Sequence, residues 1–224
     1  MTTEFKARGT TGEIWLYDQV GASFWGDGIT AKTFQKELTA LGKVSTINLR
    51  INSPGGDVFD GLTIHNLLKQ HPAKVVVNVD GVAASIASII AMAGDEINIA
   101  SNAQMMIHNP RAMAAGDSKE MARMAALLDQ VKGTLADTYV ARTGNQRDKV
   151  SAWMDDETWL TAQAAVEHGF ADKVAKEQRV SACFGLLAEY QNVPDWLKKQ
   201  ALQTPRLDMA AVRIAQMGER AARF

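Results

Sequence analysis

Residues 75–94 read VVVNVDGVAASIASIIAMAG, and this stretch decides how the chain is organised. The run from Lys74 to Val79 is β-branched and predicts a buried strand. Asp80-Gly81 reads as a tight turn, and the Ala/Ser/Ile-rich segment behind it has helical composition and closes at Gly94. Strand, turn and buried helix place Ser85 in the first helical turn. Backbone N–H groups there lack intrahelical partners and point outward, so a hydroxyl at that position has anion-stabilising donors beside it. The arrangement suits an acyl-transfer nucleophile, although serine at a helix start more commonly serves only as a cap.

Working outward, Glu13–Tyr17 predicts a first short strand. A Gly-rich loop at 21–28 follows, and Thr30 caps a helix over 31–41. Ser45–Asn52 alternates apolar residues as a strand does. SPGGDVFDG is a turn-rich loop leading into a helix from Val58 to Gln70. Beyond Gly94, Glu96–Ala100 and Gln104–Ile107 read as two short strands. A long helix is expected over Ser118–Arg142, its apolar residues Met121, Met124, Leu127, Leu128, Val131 and Leu135 at helical spacing. Two shorter helices are expected at 146–153 and 161–168. Strands alternating with helices at these spacings argue an α/β fold with βαβ units and a mostly parallel sheet. The pattern degrades after about Val174. The chain is read as one domain over 1–180 and a tail over 181–224, helical or partly disordered.

Composition narrows the functional classes. The 224 residues carry 24 basic and 25 acidic side chains, a formal charge of −1, without a long run of either sign. Neither nucleic-acid binding nor attachment to an anionic membrane has electrostatic support. The apolar stretch Val82 to Ala93 is too short to span a bilayer, which takes about 20 residues. The start MTTEFKARGTTG lacks the apolar core of a signal peptide, and Cys183 is the single cysteine. A cytoplasmic location is expected, with no metal and no cofactor.

A catalytic serine needs a base, a group that orients the base, and donors for the oxyanion. His108 ends a short strand in MMIHNP, where Asn109-Pro110 turns the chain away, and strand ends are where α/β proteins place their sites. His65, His71 and His168 have no comparable setting. The paired glycines of Ser53-Pro54-Gly55-Gly56 allow close approach of backbone to ligand, and their amides could serve an oxyanion. The same loop is too short, and lacks the lysine, for a phosphate loop. An acid could come from Asp155-Asp156-Glu157.

Taken in order, INSPGGDVFDG, DGVAASIAS, MMIHNP and ETWLTAQAAVEHGFADKV resemble the ClpP-like serine peptidases over roughly residues 12–175, closest to the phage and prophage branch that includes head maturation proteases. The resemblance implies a ClpP/crotonase-like fold of stacked ββα units with a long protruding helix. It makes Ser85 the nucleophile, His108 the general base, and the amides of Gly56 and Ile86 the oxyanion hole. Counting back from Trp159, its acid falls on Glu157 in place of the family's Asp, with Asp156 as the alternative. Pro54, Gly55, Asp57 and Asn109 are expected along the substrate. Also implied are a homo-oligomer, which could close into a ring, and a polypeptide substrate such as a capsid or scaffold protein. Action could then take place inside a procapsid, and the chain's own tail could be cut. The competing expectations are a housekeeping ClpP-type subunit working with an ATPase, a crotonase-like acyl-CoA enzyme, and a non-catalytic assembly component.

Overall fold

The structure, a computed structural model, describes residues 4–22, 28–178, 187, 190–195, 197 and 198. Its elements run β1 (Glu4–Arg8), β2 (Thr11–Leu16), α1 (Ala31–Ala40), β3 (Thr46–Ser53), α2 (Val58–Gln70), β4 (Lys74–Ala84), α3 (Ile86–Ala91), β5 (Glu96–Ala100), β6 (Gln104–Ile107), α4 (Ser118–Thr143), α5 (Arg147–Asp155), β7 (Thr158–Thr161), α6 (Ala162–Glu167) and β8 (Lys173–Ala175). The strands form one sheet ordered β1-β2-β3-β4-β5-β8, with β6 pairing β4 and β7 off that path. The β2–β3, β3–β4, β4–β5, β4–β6 and β5–β8 pairs are parallel, and β1–β2 and β6–β7 are antiparallel. This is the α/β, mostly parallel architecture expected from the alternation of strands and helices.

Along their first halves β3 and β4 alternate: Ile47, Leu49 and Ile51, and Val75, Val77 and Val79, point to one face and are excluded from water, while Asn48, Arg50, Val76 and Asn78 on the other are half-buried. α2 packs on α3, and Ile64 and Leu68 of α2 share one buried core with the apolar residues of α3. Gly61 of α2 is required by this contact: a Cβ there would stand 2.1 Å from Ile86 Cγ1.

One expectation is corrected at Asp80-Gly81. The chain does not turn there; β4 runs on to Ala84. Instead, this dipeptide marks the point where β4 changes neighbour, pairing β5 through Val76–Val79 and β6 through Val82–Ala84. Asp80 is buried because it accepts hydrogen bonds from Tyr17 Oη at 2.6 Å and Arg50 Nη2 at 2.6 Å. Gly81 lies against Asn52, whose Oδ1 accepts from Val82 N at 3.1 Å, and a Cβ at Gly81 would be 2.6 Å from that oxygen. The β3 register shifts between Ile51 and Ser53 at the same level. Polar side chains and a bulge thus split the sheet and carry its upper part toward β6.

Three strands were not expected from the sequence, β1, β7 and β8, all short. α4 ends in a left-handed Gly144 and begins with an Asp117–Glu120 capping box. Its buried residues are Leu135, Ala136 and Tyr139, and Val131 packs partly buried against the same core; the turns before Val131 are more exposed, with Leu127 at 43%. Of the tail expected over 181–224, Leu187, Val193 and Leu197 are buried against Val82, Ala84 and Met106. The remainder of that tail lies outside the described residues.

Candidate active site

Ser85 joins β4 to α3 with φ 55° and ψ −128°, a conformation costly for a residue with a Cβ. The fold enforces it from several sides. Ser85 N donates to Met106 O of β6 at 2.9 Å. Its carbonyl accepts from Ser88 N at 3.0 Å and Ser88 Oγ at 2.5 Å, and Ser88 Oγ is also hydrogen-bonded to the buried Tyr139 of α4 at 2.7 Å. The Ser85 hydroxyl makes no capping bond to α3, so the ordinary use of serine at a helix start does not apply.

That hydroxyl instead meets His108, with Nε2 2.7 Å from Oγ. His108 follows β6, and parallel pairing of β6 with the end of β4 sets the two side by side. Burial first, then the Arg111 cation, lower the imidazole pKa to about 4 against the opposing field of Glu157. The ring is therefore neutral at neutral pH and able to accept a proton from the hydroxyl.

The SPGG loop is fixed beneath this pair. Ser53 Oγ donates to Asp18 O at 2.6 Å and accepts from Gly55 N at 3.2 Å. Val20 bridges the loop, with Val20 N donating to Gly55 O at 2.8 Å and Asp57 N donating to Val20 O at 2.9 Å; the Gly56 N–H is in neither bond. Gly55 has φ 94°, and a Cβ there would lie 2.7 Å from both Ala84 O and Ser85 Cβ. Only a glycine lets the loop approach the serine this closely. Asp57 caps α2 by accepting from Asp60 N at 2.8 Å, which gives it a structural contact beside its expected place along the substrate.

The acidic segment is arranged differently. Glu157 is buried to 8% exposure with φ 48°, and its carboxylate accepts from Asn192 N at 2.7 Å, Gln191 N at 3.0 Å and Trp159 Nε1 at 3.5 Å. Its field reaches His108, but its hydrogen bonds go to the tail and Trp159. Asp156 has an exposed side chain, and its carbonyl accepts from Asn192 Nδ2 at 2.8 Å. Asp155 accepts from Asn109 Nδ2 at 2.7 Å and Lys132 Nζ at 2.5 Å, so Asn109 is tied to the α5 end, and its own Oδ1 is buried without a partner. The structure brings Ser85, His108 and the SPGG loop together and leaves Glu157 next to them but otherwise engaged.

Several residues around the site escaped sequence reasoning. Tyr190 packs edge-on to His108 with centroids 5.2 Å apart, and its hydroxyl donates to Pro54 O at 2.6 Å. Arg111 lies 5.0 Å from the Tyr190 ring. Ser88 and Tyr139 brace the serine from below. Ser88 and Tyr139 sit at ordinary helical core positions and Tyr190 in a stretch without periodicity, so no local signal marks them. Among the described residues no cluster of His, Cys, Asp and Glu could hold a metal ion, and no helix is long and apolar enough to cross a membrane.

Comparison with known proteins accords with this geometry. The family described as Clp protease matches residues 15–178. An ATP-dependent Clp protease proteolytic subunit of Bacteroides fragilis is 34% identical over 153 residues, covering 66% of this chain and 74% of the relative. Its counterpart in Bacteroides thetaiotaomicron is 33% identical over 153 residues, covering 66% of this chain and 70% of the relative. Subunit 1 of the same protease from Leifsonia xyli subsp. xyli is 33% identical over 130 residues, covering 57% of this chain and 66% of the relative. The chain belongs to the Clp protease family, has its fold, and is a serine-type peptidase.

Proposed function

We propose that this family member cleaves polypeptides with Ser85 as nucleophile and His108 as general base, and that it works as the proteolytic subunit of a larger assembly. The observation carrying the chemistry is the 2.7 Å contact between His108 Nε2 and Ser85 Oγ at a serine held with φ 55°. As Oγ attacks a peptide carbonyl, neutral His108 takes its proton, then returns it to the leaving amine. The resulting ester is hydrolysed by water that gives its proton to the same ring. The amides of Gly56 and Ile86 receive the oxyanion: Gly56 N–H is outside the Val20 bridge, and Ile86 N opens α3. Glu157 is the acid that orients His108 and stabilises its imidazolium form, in preference to the exposed Asp156. Pro54 and Gly55 carry the backbone along which an extended substrate pairs.

The relatives named above are proteolytic subunits of ATP-dependent proteases, which supports a subunit receiving polypeptide from an ATPase partner. Capsid or scaffold processing, expected from the phage resemblance, has no counterpart in those names. Self-association fits the exposed first half of α4, which leaves apolar residues such as Leu127 facing outward. The test is hydrolysis of a fluorogenic peptide and of an unfolded protein by wild type and Ser85→Ala. Loss of activity by about 10⁴-fold or more is expected for the variant; equal rates would remove Ser85 from the reaction.

A further inference from the structure

The apolar patch formed by Val82, Ala84, Met106 and Trp159 borders the Ser85–His108 pair and continues to the SPGG loop. What covers it, among the described residues, is this chain's own Leu187 and residues 190–195, 197 and 198. Leu187, Val193 and Leu197 are buried on the patch at 1–3% exposure. Tyr190 reaches over His108 and hydrogen-bonds Pro54 O on the loop. The successive amides of Gln191 and Asn192 bind the two oxygens of Glu157.

We propose that this face is a peptide-docking site taking an aromatic residue flanked by apolar ones, and that residues 187–198 fill it as an intramolecular inhibitor. The proposal rests on the assignment of Ser85 and His108 made above. Two consequences of the seated segment work in the same direction. The Pro54 carbonyl, a main-chain acceptor for an incoming peptide, is already used by Tyr190. The carboxylate that should accept from the imidazole is held by backbone donors, and charge-assisted bonds of that kind are strong. Among the described residues of the segment, the contacts include apolar side chains on the patch, the Tyr190 hydroxyl on Pro54 O, backbone amides on Glu157 and Asn192 Nδ2 on Asp156 O. Tyr190 presents an aromatic ring to His108, not a scissile carbonyl, so the segment obstructs the site without offering itself for attack. A protein substrate or a neighbouring subunit that competes for the patch would lift the segment, free Pro54 O and return Glu157 to His108.

The test uses the full chain carrying Tyr190→Ala with Asn192→Pro, which removes the ring, its hydroxyl and one amide donor to Glu157. Hydrolysis of a fluorogenic peptide is measured beside labelling of Ser85 by a fluorophosphonate. Because apparent affinity scales with the open fraction, kcat/KM should rise by roughly tenfold or more. The milder Tyr190→Phe keeps the ring but removes the bond to Pro54 and should raise it about threefold. A synthetic peptide of residues 187–198 should return the double variant to the wild-type rate at saturation. Unchanged or reduced hydrolysis in both variants, with Ser85 still labelled, overturns the proposal and makes the segment a support of the site. Failure of the added peptide to inhibit overturns it as well. Absence of labelling in every form overturns the underlying assignment of Ser85 and the inhibitor together.

Discussion

Ser85 and Glu157 are the non-glycine residues with left-handed φ among the described residues, at 55° and 48°, and they are held by different means. Ser85 is held by the core: β6, Ser88 and, through Ser88, the buried Tyr139 fix both sides of its peptide unit. Glu157 follows α5, and its carboxylate takes two of its three hydrogen bonds from Gln191 and Asn192, in a segment far along the chain. Each such conformation costs on the order of 1–3 kcal/mol, which the surrounding structure must offset. The contrast teaches that the proposed nucleophile is held by the core of the fold, whereas the proposed acid is held through the tail segment.

The comparison breaks most severely if the acid is changed while the segment is displaced. Glu157→Gln in the Tyr190→Ala/Asn192→Pro background should lower kcat by about 10⁴-fold, the cost of losing a triad acid. With the segment seated the same change should cost much less, because the carboxylate is then engaged elsewhere. Equal losses in both backgrounds, read from kcat, would make the two regions equivalent. On the nucleophile side, Gly55→Ala puts a Cβ 2.7 Å from Ala84 O and Ser85 Cβ at φ 94°. A loss of about 10²-fold in kcat/KM is expected, with a fall in Tm, since a displacement of the serine by about 1 Å is enough.

The pH profile sharpens the comparison further. His108 faces Ser85, Arg111, Glu157 and Tyr190, and burial holds its pKa at about 4. The neutral ring is the base, so activity of the wild type should fall as pH drops through about 4 and should change little between pH 7 and 5.5. Displacing Tyr190 exposes the ring and frees Glu157 to favour the imidazolium, both of which raise the pKa. The acid limb of kcat/KM should then move toward 6.5, giving about a tenfold fall by pH 5.5. An acid limb at the same pH in both forms contradicts the account. The smallest effect is expected at Tyr139→Phe, which removes the hydroxyl partner of Ser88. It should cost about 1 kcal/mol of stability by thermal denaturation, and a few-fold in kcat with KM unchanged.

Much of this was legible in the chain because it follows from local patterning. The bounds of α2, β5 and β6 coincide with their turn residues and apolar runs. The order SPGG, GVAAS, MIHNP is what brings loop, serine and histidine to one place along β3, β4 and β6. Asp80-Gly81 misled because a turn dipeptide and a strand crossing a polar bulge carry the same residues. Only Tyr17, Arg50 and Asn52, distant in sequence, distinguish the two. β7 was hidden because Thr158–Thr161 is short and its pairing with β6 is a tertiary fact. The partners of Glu157 were not readable for the same reason: backbone amides of residues 191 and 192 carry no side-chain signature.

If Ser85 is the nucleophile, the core alone poises it for attack, whatever the tail does. Fluorophosphonate labelling followed by intact mass and peptide mapping tests it directly, on wild type and on Tyr190→Ala/Asn192→Pro. The account predicts one adduct per chain, on Ser85, in both proteins, formed faster in the second and absent from Ser85→Ala. A folded chain that acquires no adduct at Ser85 in either form would contradict it.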